Sequence, residues 1–246
     1  MKGENKKVAL ITGGGRRLGK QIVLALANEG YNIVINYNAS KSSALKTARE
    51  IRRMGAIVET IQADITRKKE IDRLFRKAIN LFGKIDLLVN NAAIFIDSPL
   101  FKTSEKIWDI TLNTNLKGTF FCSQAAAAYM NPKQAGKIIN IASLGGIQAW
   151  KEHIPYSTSK AGVIMLTRLL AKSLAPYIQV NAIAPGTIII EGEEDPSVQH
   201  IPRNKILLNR YGKPSDVTSL LIFLAKTADY ITGQTFVVDG GRTLSN

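Results

Sequence analysis

A chain of 246 residues, 45% hydrophobic and 21% charged, is long enough for one well-filled α/β domain or two small ones, and too apolar to stay disordered. One Cys and two His allow no intrachain disulfide and too few soft ligands for a structural zinc site, so no metal is expected and a reducing compartment fits. The net charge of +14 raises nucleic acid as a partner, but the basic residues (Arg49, Arg52, Arg53; Arg67, Lys68, Lys69, Arg73) are spread through helical segments without aromatic interleaving, as on a solvated basic face that attracts anionic metabolites.

The first apolar run, Val8–Ile11, is followed by others at Ile33–Ile35, Ile57–Ile61, Ile85–Val89, Ile138–Ile141, Val180–Ala184 and Phe236–Val238, each short enough for a strand. Between them apolar residues recur at helical spacing, as in Ile22, Leu24, Leu26 and in Ile71, Leu74, Phe75, Ala78. Strands that are apolar almost throughout and alternate with helices predict a Rossmann-type, doubly wound α/β fold: a parallel sheet of about seven strands with helices on both faces. No linker or repeat divides the chain, so residues 1–246 are expected to form a single domain. The least regular piece, Thr187 to Asn204, carries Glu191, Gly192, Glu193, Glu194 and Asp195 and is expected to act as a flap over a site. Gly118 to Pro132, an uncharged stretch cut by Ser, Gln and Asn, falls short of the ~18 apolar residues a membrane span needs. MKGENKK runs into VALIT without a signal core, so a cytoplasmic protein is expected.

The first strand delivers the chain into Thr12-Gly13-Gly14-Gly15-Arg16-Arg17-Leu18-Gly19, and a helix follows at once. Glycines there let the backbone approach a pyrophosphate whose charge the helix N-terminus stabilises, so a nucleotide is implied; a glycine turn without a ligand is the alternative. The second strand ends Asn36-Tyr37-Asn38-Ala39-Ser40-Lys41, with no carboxylate to accept a ribose 2′-OH and with Arg16, Ser40 and Lys41 available to a 2′-phosphate. That favours NADP(H) over NAD(H), unless Ser40 and its neighbours serve only to cap the next helix. Farther on, Tyr156 and Lys160 are four apart and share a helix face, where the ammonium is expected to lower the phenol's pKa from about 10 toward neutrality. Ser143 ends the strand Lys137–Ala142, where open α/β sheets place their ligands.

With these motifs on the page, the chain resembles the short-chain dehydrogenase/reductase family along nearly its whole length. The matching residues are Thr12-Gly-x-x-x-Arg17-x-Gly19, Asp64, Asn90-Asn91-Ala92-Ala93, Asn115, Ser143, Tyr156-x-x-x-Lys160, Asn181-Ala-x-Ala-Pro185-Gly186 and Asp239-Gly240-Gly241. The resemblance implies that Tyr156 donates a proton, Ser143 holds the substrate oxygen, Lys160 binds the nicotinamide ribose and Asn115 holds a water linked to Lys160. It further implies a cofactor seat made of Gly13, Arg16, Arg17, Leu18 and Gly19, then Asn36, Tyr37, Asn38 and Ser40. Asp64 and Ile65 would meet the adenine, Asn91, Ala92 and Ala93 the ribose region, and Pro185, Gly186 and Ile188 the nicotinamide amide. A homotetramer and a small-molecule substrate are part of the same expectation.

Arg17, where most of the family has Gly, and Phe95 resemble features of the pteridine reductases: a guanidinium facing cofactor and pterin, and an aromatic stacked on the pterin ring. Leu174 to Asn181 and Thr187-Ile-Ile-Ile190 are similar to the same group. Ser143 points the other way, since trypanosomatid pteridine reductases carry Asp there and Ser suits ketone reduction. Pterin or dihydropterin reduction is therefore placed slightly ahead of reduction of a 3-oxoacyl group on an acyl-carrier protein, with a non-catalytic nucleotide-sensing or nucleic-acid-binding relative as the outside reading. Cys122 reads as packing, Trp108 and Trp150 as packing or pocket wall, and His153 as a residue bordering the pocket near Tyr156.

Overall fold

The computed structural model describes residues 6–130, 136–192 and 202–245, so half of the segment expected to form a flap, residues 193–201, lies outside the described residues. Seven parallel strands form one sheet: β1 (Val8–Ile11), β2 (Asn32–Tyr37), β3 (Val58–Gln62), β4 (Leu87–Asn90), β5 (Gly136–Ile141), β6 (Ile178–Pro185) and β7 (Thr235–Val238), in the order β3-β2-β1-β4-β5-β6-β7. The winding reverses between β1 and β4, which opens a crevice at their carboxyl ends, where such folds bind ligands. This is the Rossmann-like architecture read from the sequence. Two strands begin later than their apolar runs: Ile57 is half-exposed and β3 starts at Val58, while β4 starts at Leu87 because Asp86 turns its carboxylate onto the Val8 amide, 2.7 Å away.

Strand alternation explains why both faces are apolar. Ala9 and Ile11 face one way and pack with α1 (Arg17–Asn28), α2 (Lys41–Arg53) and α7 (Pro214–Lys226) through Ile22, Leu26, Ala48, Ile51 and Leu221. Val8 and Leu10 face the other way, toward α3 (Lys68–Phe82), α5 (Gly118–Tyr129) and α6 (Ile154–Leu174). Ile71, Leu74, Phe75 and Ala78 of α3 are all buried there, so a Phe75→Ala cavity would cost about 3–5 kcal/mol. Cys122 belongs to this second core, where burial pushes its thiol up to about 12, in keeping with a packing residue.

Before α5, the helix α4 (Glu105–Leu112) continues into a π-helical turn over Asn113–Lys117, a one-residue widening that often marks functional sites and that here holds Asn115. Among the described residues no helix is long and apolar enough to cross a membrane, and no cluster of side chains is arranged to hold a metal.

Candidate active site

At the end of β1 the Thr12 hydroxyl accepts the amides of Asn91 and Ala92, both at 3.0 Å, and the Asn91 side chain donates back to the carbonyls of Thr12 (3.0 Å) and Gly13 (3.1 Å). This clamp lashes the loop after β4 against the loop after β1, so Asn91, Ala92 and Gly13 share one wall. Gly13 has φ +63°, and a Cβ on it would come 3.0 Å from Ala92 Cα. On Gly19 a Cβ would fall 2.2 Å from the Gly13 carbonyl oxygen, so the helix can start this close to the loop only without side chains. The first-turn amides of α1, Leu18 and Gly19, have no intrahelical acceptor, and an anion is the usual partner for such amides. A glycine cradle, free amides and a strand-end crevice fit a dinucleotide.

Arg17 enters the helix at φ +50°, a left-handed conformation that a side chain makes costly and that the family's usual glycine would tolerate. Arg16, the preceding N-cap residue, is exposed and makes no capping bond. Ser40 stands at the N-cap of α2, but its hydroxyl does not cap the helix, which leaves it available to a ligand. Asn36, expected as a cofactor contact, is buried, and its side-chain amide donates to the β3-end carbonyls of Ala63 (3.0 Å) and Ile61 (3.4 Å). Its part is to tie β2 to β3, while Tyr37 is also buried and Asn38 alone of the three is exposed. Asp64 accepts from the Thr66 amide and hydroxyl at 2.9 and 2.8 Å, forming a turn that presents the buried Ile65 to α5 at Gly118.

Across the crevice, Ser143 follows β5 and its Oγ accepts the Gly145 amide at 3.1 Å. Tyr156 comes from the first turn of α6, after Pro155, a residue suited to opening a helix. One turn on, Lys160 is 3% exposed; its Nζ donates to the Ile141 carbonyl at 2.7 Å and lies 5.8 Å from the centre of the Tyr156 ring. The electrostatics differ from the expectation that the ammonium pulls the phenol toward neutrality. Burial raises the Tyr156 pKa above 10.0, only the Ser143 hydroxyl pulls it back, and burial lowers Lys160 to about 8. Desolvation disfavours both charged forms and outweighs their attraction.

Asn115, expected to hold a water, sits at the π-helical turn with its side-chain amide bonded to the chain itself. Its Oδ1 accepts the Ile94 amide at 2.9 Å, and its Nδ2 donates to the Ile94 carbonyl and to Ser159 Oγ, both at 3.0 Å. The amide thus pins the loop that carries Phe95 to α6. Phe95 is 43% exposed and meets Tyr156 edge-on at 4.6 Å and His153 at 4.3 Å. The Trp150 ring stacks parallel to Tyr156 at 6.3 Å, and a Cβ on Gly145 would press into it at 2.8 Å. Phe95, Trp150, His153 and Tyr156 form one aromatic wall, with His153 beside Phe95 and Trp150. At the end of β6, Pro185 and Gly186 run beside β7, with the Gly186 amide on the Val238 carbonyl at 2.9 Å, and Ile188 in the loop that follows pairs with Gly212; Ala93 lies in the loop after β4.

Sequence reasoning missed the supports behind this wall. Asn90 donates to Ser123 Oγ and to Asn140 Oδ1, and Asn140 to Thr167 Oγ1, each at 2.9 Å, binding β4 and β5 to α5 and α6. Asn140, a polar residue inside the apolar run Ile138–Ile141, was the available signal. Arg242 also meets the aromatic wall at Trp150, bonded to Thr187 and Gln148, and nothing local in the sequence marks these three.

Fold and site define an oxidoreductase of the dinucleotide-binding α/β class. A family model described as "Enoyl-(Acyl carrier protein) reductase" matches residues 15–243. The 3-oxoacyl-[acyl-carrier-protein] reductase of Synechocystis is 40% identical over 245 residues, covering 97% of each chain. The (2S)-[(R)-hydroxy(phenyl)methyl]succinyl-CoA dehydrogenase subunit BbsD of Thauera aromatica is 41% identical over 98% of each chain. Among solved structures, acetoin dehydrogenase YohF from Salmonella typhimurium superposes with TM-score 0.89 at 31% identity, covering 98% of each chain. The protein belongs to the short-chain dehydrogenase/reductase family and is an oxidoreductase of the nicotinamide-dependent kind.

Proposed function

We propose that the protein reduces the 3-oxo group of an acyl thioester, carried on an acyl-carrier protein, to the 3-hydroxy compound. The observation that carries this reading is the Ser143–Tyr156 pair beside the dinucleotide cradle, in a chain 40% identical over 97% of its length to a 3-oxoacyl-[acyl-carrier-protein] reductase. These relatives favour the thioester over the pterin placed first from sequence. The bound cofactor supplies the hydride. Tyr156, kept protonated at neutral pH by burial, gives its proton to the carbonyl oxygen that Ser143 holds, so C=O becomes CH–OH. Lys160 sits beneath the ring to hold the nicotinamide ribose, and Asn115 positions Phe95 and α6.

The same proposal takes NADPH as the reductant. Its pyrophosphate would lie on Gly13, Leu18 and Gly19, with Arg16, Ser40 and Asn38 toward the 2′-phosphate and Asp64 and Ile65 toward the adenine. Support comes from the β2 end, which has no carboxylate to repel a 2′-phosphate, and from the uncommitted Ser40 hydroxyl. The net charge of +14 suits an acidic carrier protein. A cytoplasmic location, a single-domain chain and homotetrameric assembly complete the reading, the last checked by sedimentation at micromolar concentration.

The test is NADPH oxidation measured side by side with a 3-oxoacyl thioester and a dihydropterin, repeated with NADH. The proposal expects the thioester to be reduced, the dihydropterin not, and NADPH to be preferred. Turnover of the dihydropterin alone would restore the pterin reading.

A further inference from the structure

At the pocket edge, the chain turns after β7 through Asp239-Gly240-Gly241, and the Asp239 carboxylate accepts the amides of Gly241 (2.9 Å) and Thr243 (2.7 Å). That turn carries Arg242 back over the aromatic wall. Its guanidinium lies 5.5 Å from the centre of the Trp150 ring, within cation–π range, and Nη1 donates to Thr187 Oγ1 at 3.0 Å. Its own carbonyl accepts from Gln148 Nε2 at 3.5 Å. Arg242 therefore joins the loop after β6 to the Trp150 wall, and Trp150 in turn stacks on the Tyr156 ring at 6.3 Å.

This cation is under-bonded. A guanidinium offers five N–H donors, and among the described residues only Thr187 takes one of them. Asp239 acts on it at a distance but makes no ion pair, its oxygens being held by the turn amides. Half-burial also pushes the guanidinium below its ordinary pKa. A partly dehydrated cation held within cation–π range of an indole, with its fork largely free, is suited to a carboxylate bound through two parallel hydrogen bonds.

We infer that Arg242 is the residue that selects the acyl chain, favouring 3-oxoacyl thioesters whose far end carries a carboxylate. The inference rests on the proposed thioester reaction for its substrate class. The pantetheine phosphate is a poor match for this cation, since it stands about fourteen bonds, about 17 Å when extended, from the thioester carbonyl. Through their shared contact with Trp150 the guanidinium lies within about 12 Å of the Tyr156 ring centre, a span that an acyl carboxylate a few bonds from the reacting ketone can bridge.

The test compares kcat/KM for 3-oxohexanoyl-CoA and its ω-carboxylated counterpart of equal length, 3-oxohexanedioyl-CoA, in the wild type, Arg242→Leu and Arg242→Lys. The inference expects the wild type to prefer the carboxylated thioester at least tenfold, Arg242→Leu to lose that preference, and Arg242→Lys to keep part of it. Equal use of both by the wild type, or equal losses on both in Arg242→Leu, overturns it. A second readout does not depend on turnover: in a Trp108→Phe background, Trp150 fluorescence is titrated with glutarate and with glutaramide. Saturable quenching by glutarate alone, absent in Arg242→Leu, supports the anion subsite even if neither thioester is reduced, in which case only the thioester reading falls. Without that quenching the subsite falls whatever the turnover.

Discussion

On the β1–β3 side of the crevice the site is made of backbone, whereas on the β5–β7 side it is made of side chains. The cradle at Gly13 and Gly19 works because Cβ atoms are missing, and Thr12 and Asn91 tie loops together through carbonyls and amides. Across from it, Ser143, Tyr156, Lys160, Phe95, Trp150 and Arg242 meet through rings, hydroxyls and charges brought from five separate segments. A backbone cradle suits a cofactor that does not change, while a side-chain wall can be re-cut for a new substrate without disturbing the sheet.

The difference can be broken first at its most buried charge. Lys160 is lowered from 10.5 to about 8, so between those values the unfolded chain binds the proton more strongly than the folded one, and stability rises with pH across that window. Below about pH 8 both states hold the proton and the folded state bears the whole burial cost, about 3 kcal/mol. Urea unfolding at pH 7 and pH 10 is expected to show this rise in the wild type and to lose it in Lys160→Met.

Next comes the backbone side. Gly19→Ala forces a methyl group into the Gly13 carbonyl and is expected to cost about 2–3 kcal/mol of stability, together with most dinucleotide affinity, read by thermal unfolding and by NADPH fluorescence titration. Replacing Arg16 or Ser40 by Ala is expected to lower NADPH affinity by about one decade through loss of about 1.5 kcal/mol of charge-assisted bonding, with little change for NADH. The smallest effect belongs to Arg17→Gly: removing a side chain at φ +50° is expected to stabilise the fold by about 0.5–1 kcal/mol in thermal unfolding.

The same contrast explains what could be read from the residues alone. The sheet was legible because its central strands are apolar almost throughout and buried, and the cradle because Gly13 and Gly19 fall close together in one glycine-rich stretch. Tyr156 and Lys160 were legible as neighbours from their spacing, but not their electrostatics, because burial is a property of the packed molecule. For Asn36, expected at the cofactor, and Asn115, expected at a water, the bonds their side-chain amides make within the chain were not readable: the partners, Ala63 for one and Ile94 and Ser159 for the other, lie 21 to 44 residues away. Arg242 was invisible for the same reason, since its contacts to Thr187 and Trp150 close only when β7 has joined β6.

The most direct measurement sets the two sides against each other in one variant. Tyr156→Phe removes the proton donor and leaves the backbone cradle whole, so NADPH titration is expected to give an affinity close to that of the wild type while turnover of a 3-oxoacyl thioester falls by about 10²–10⁴-fold. Turnover at the wild-type rate in this variant would contradict the assignment of Tyr156, and with it the division of the molecule into a binding side and a reacting side.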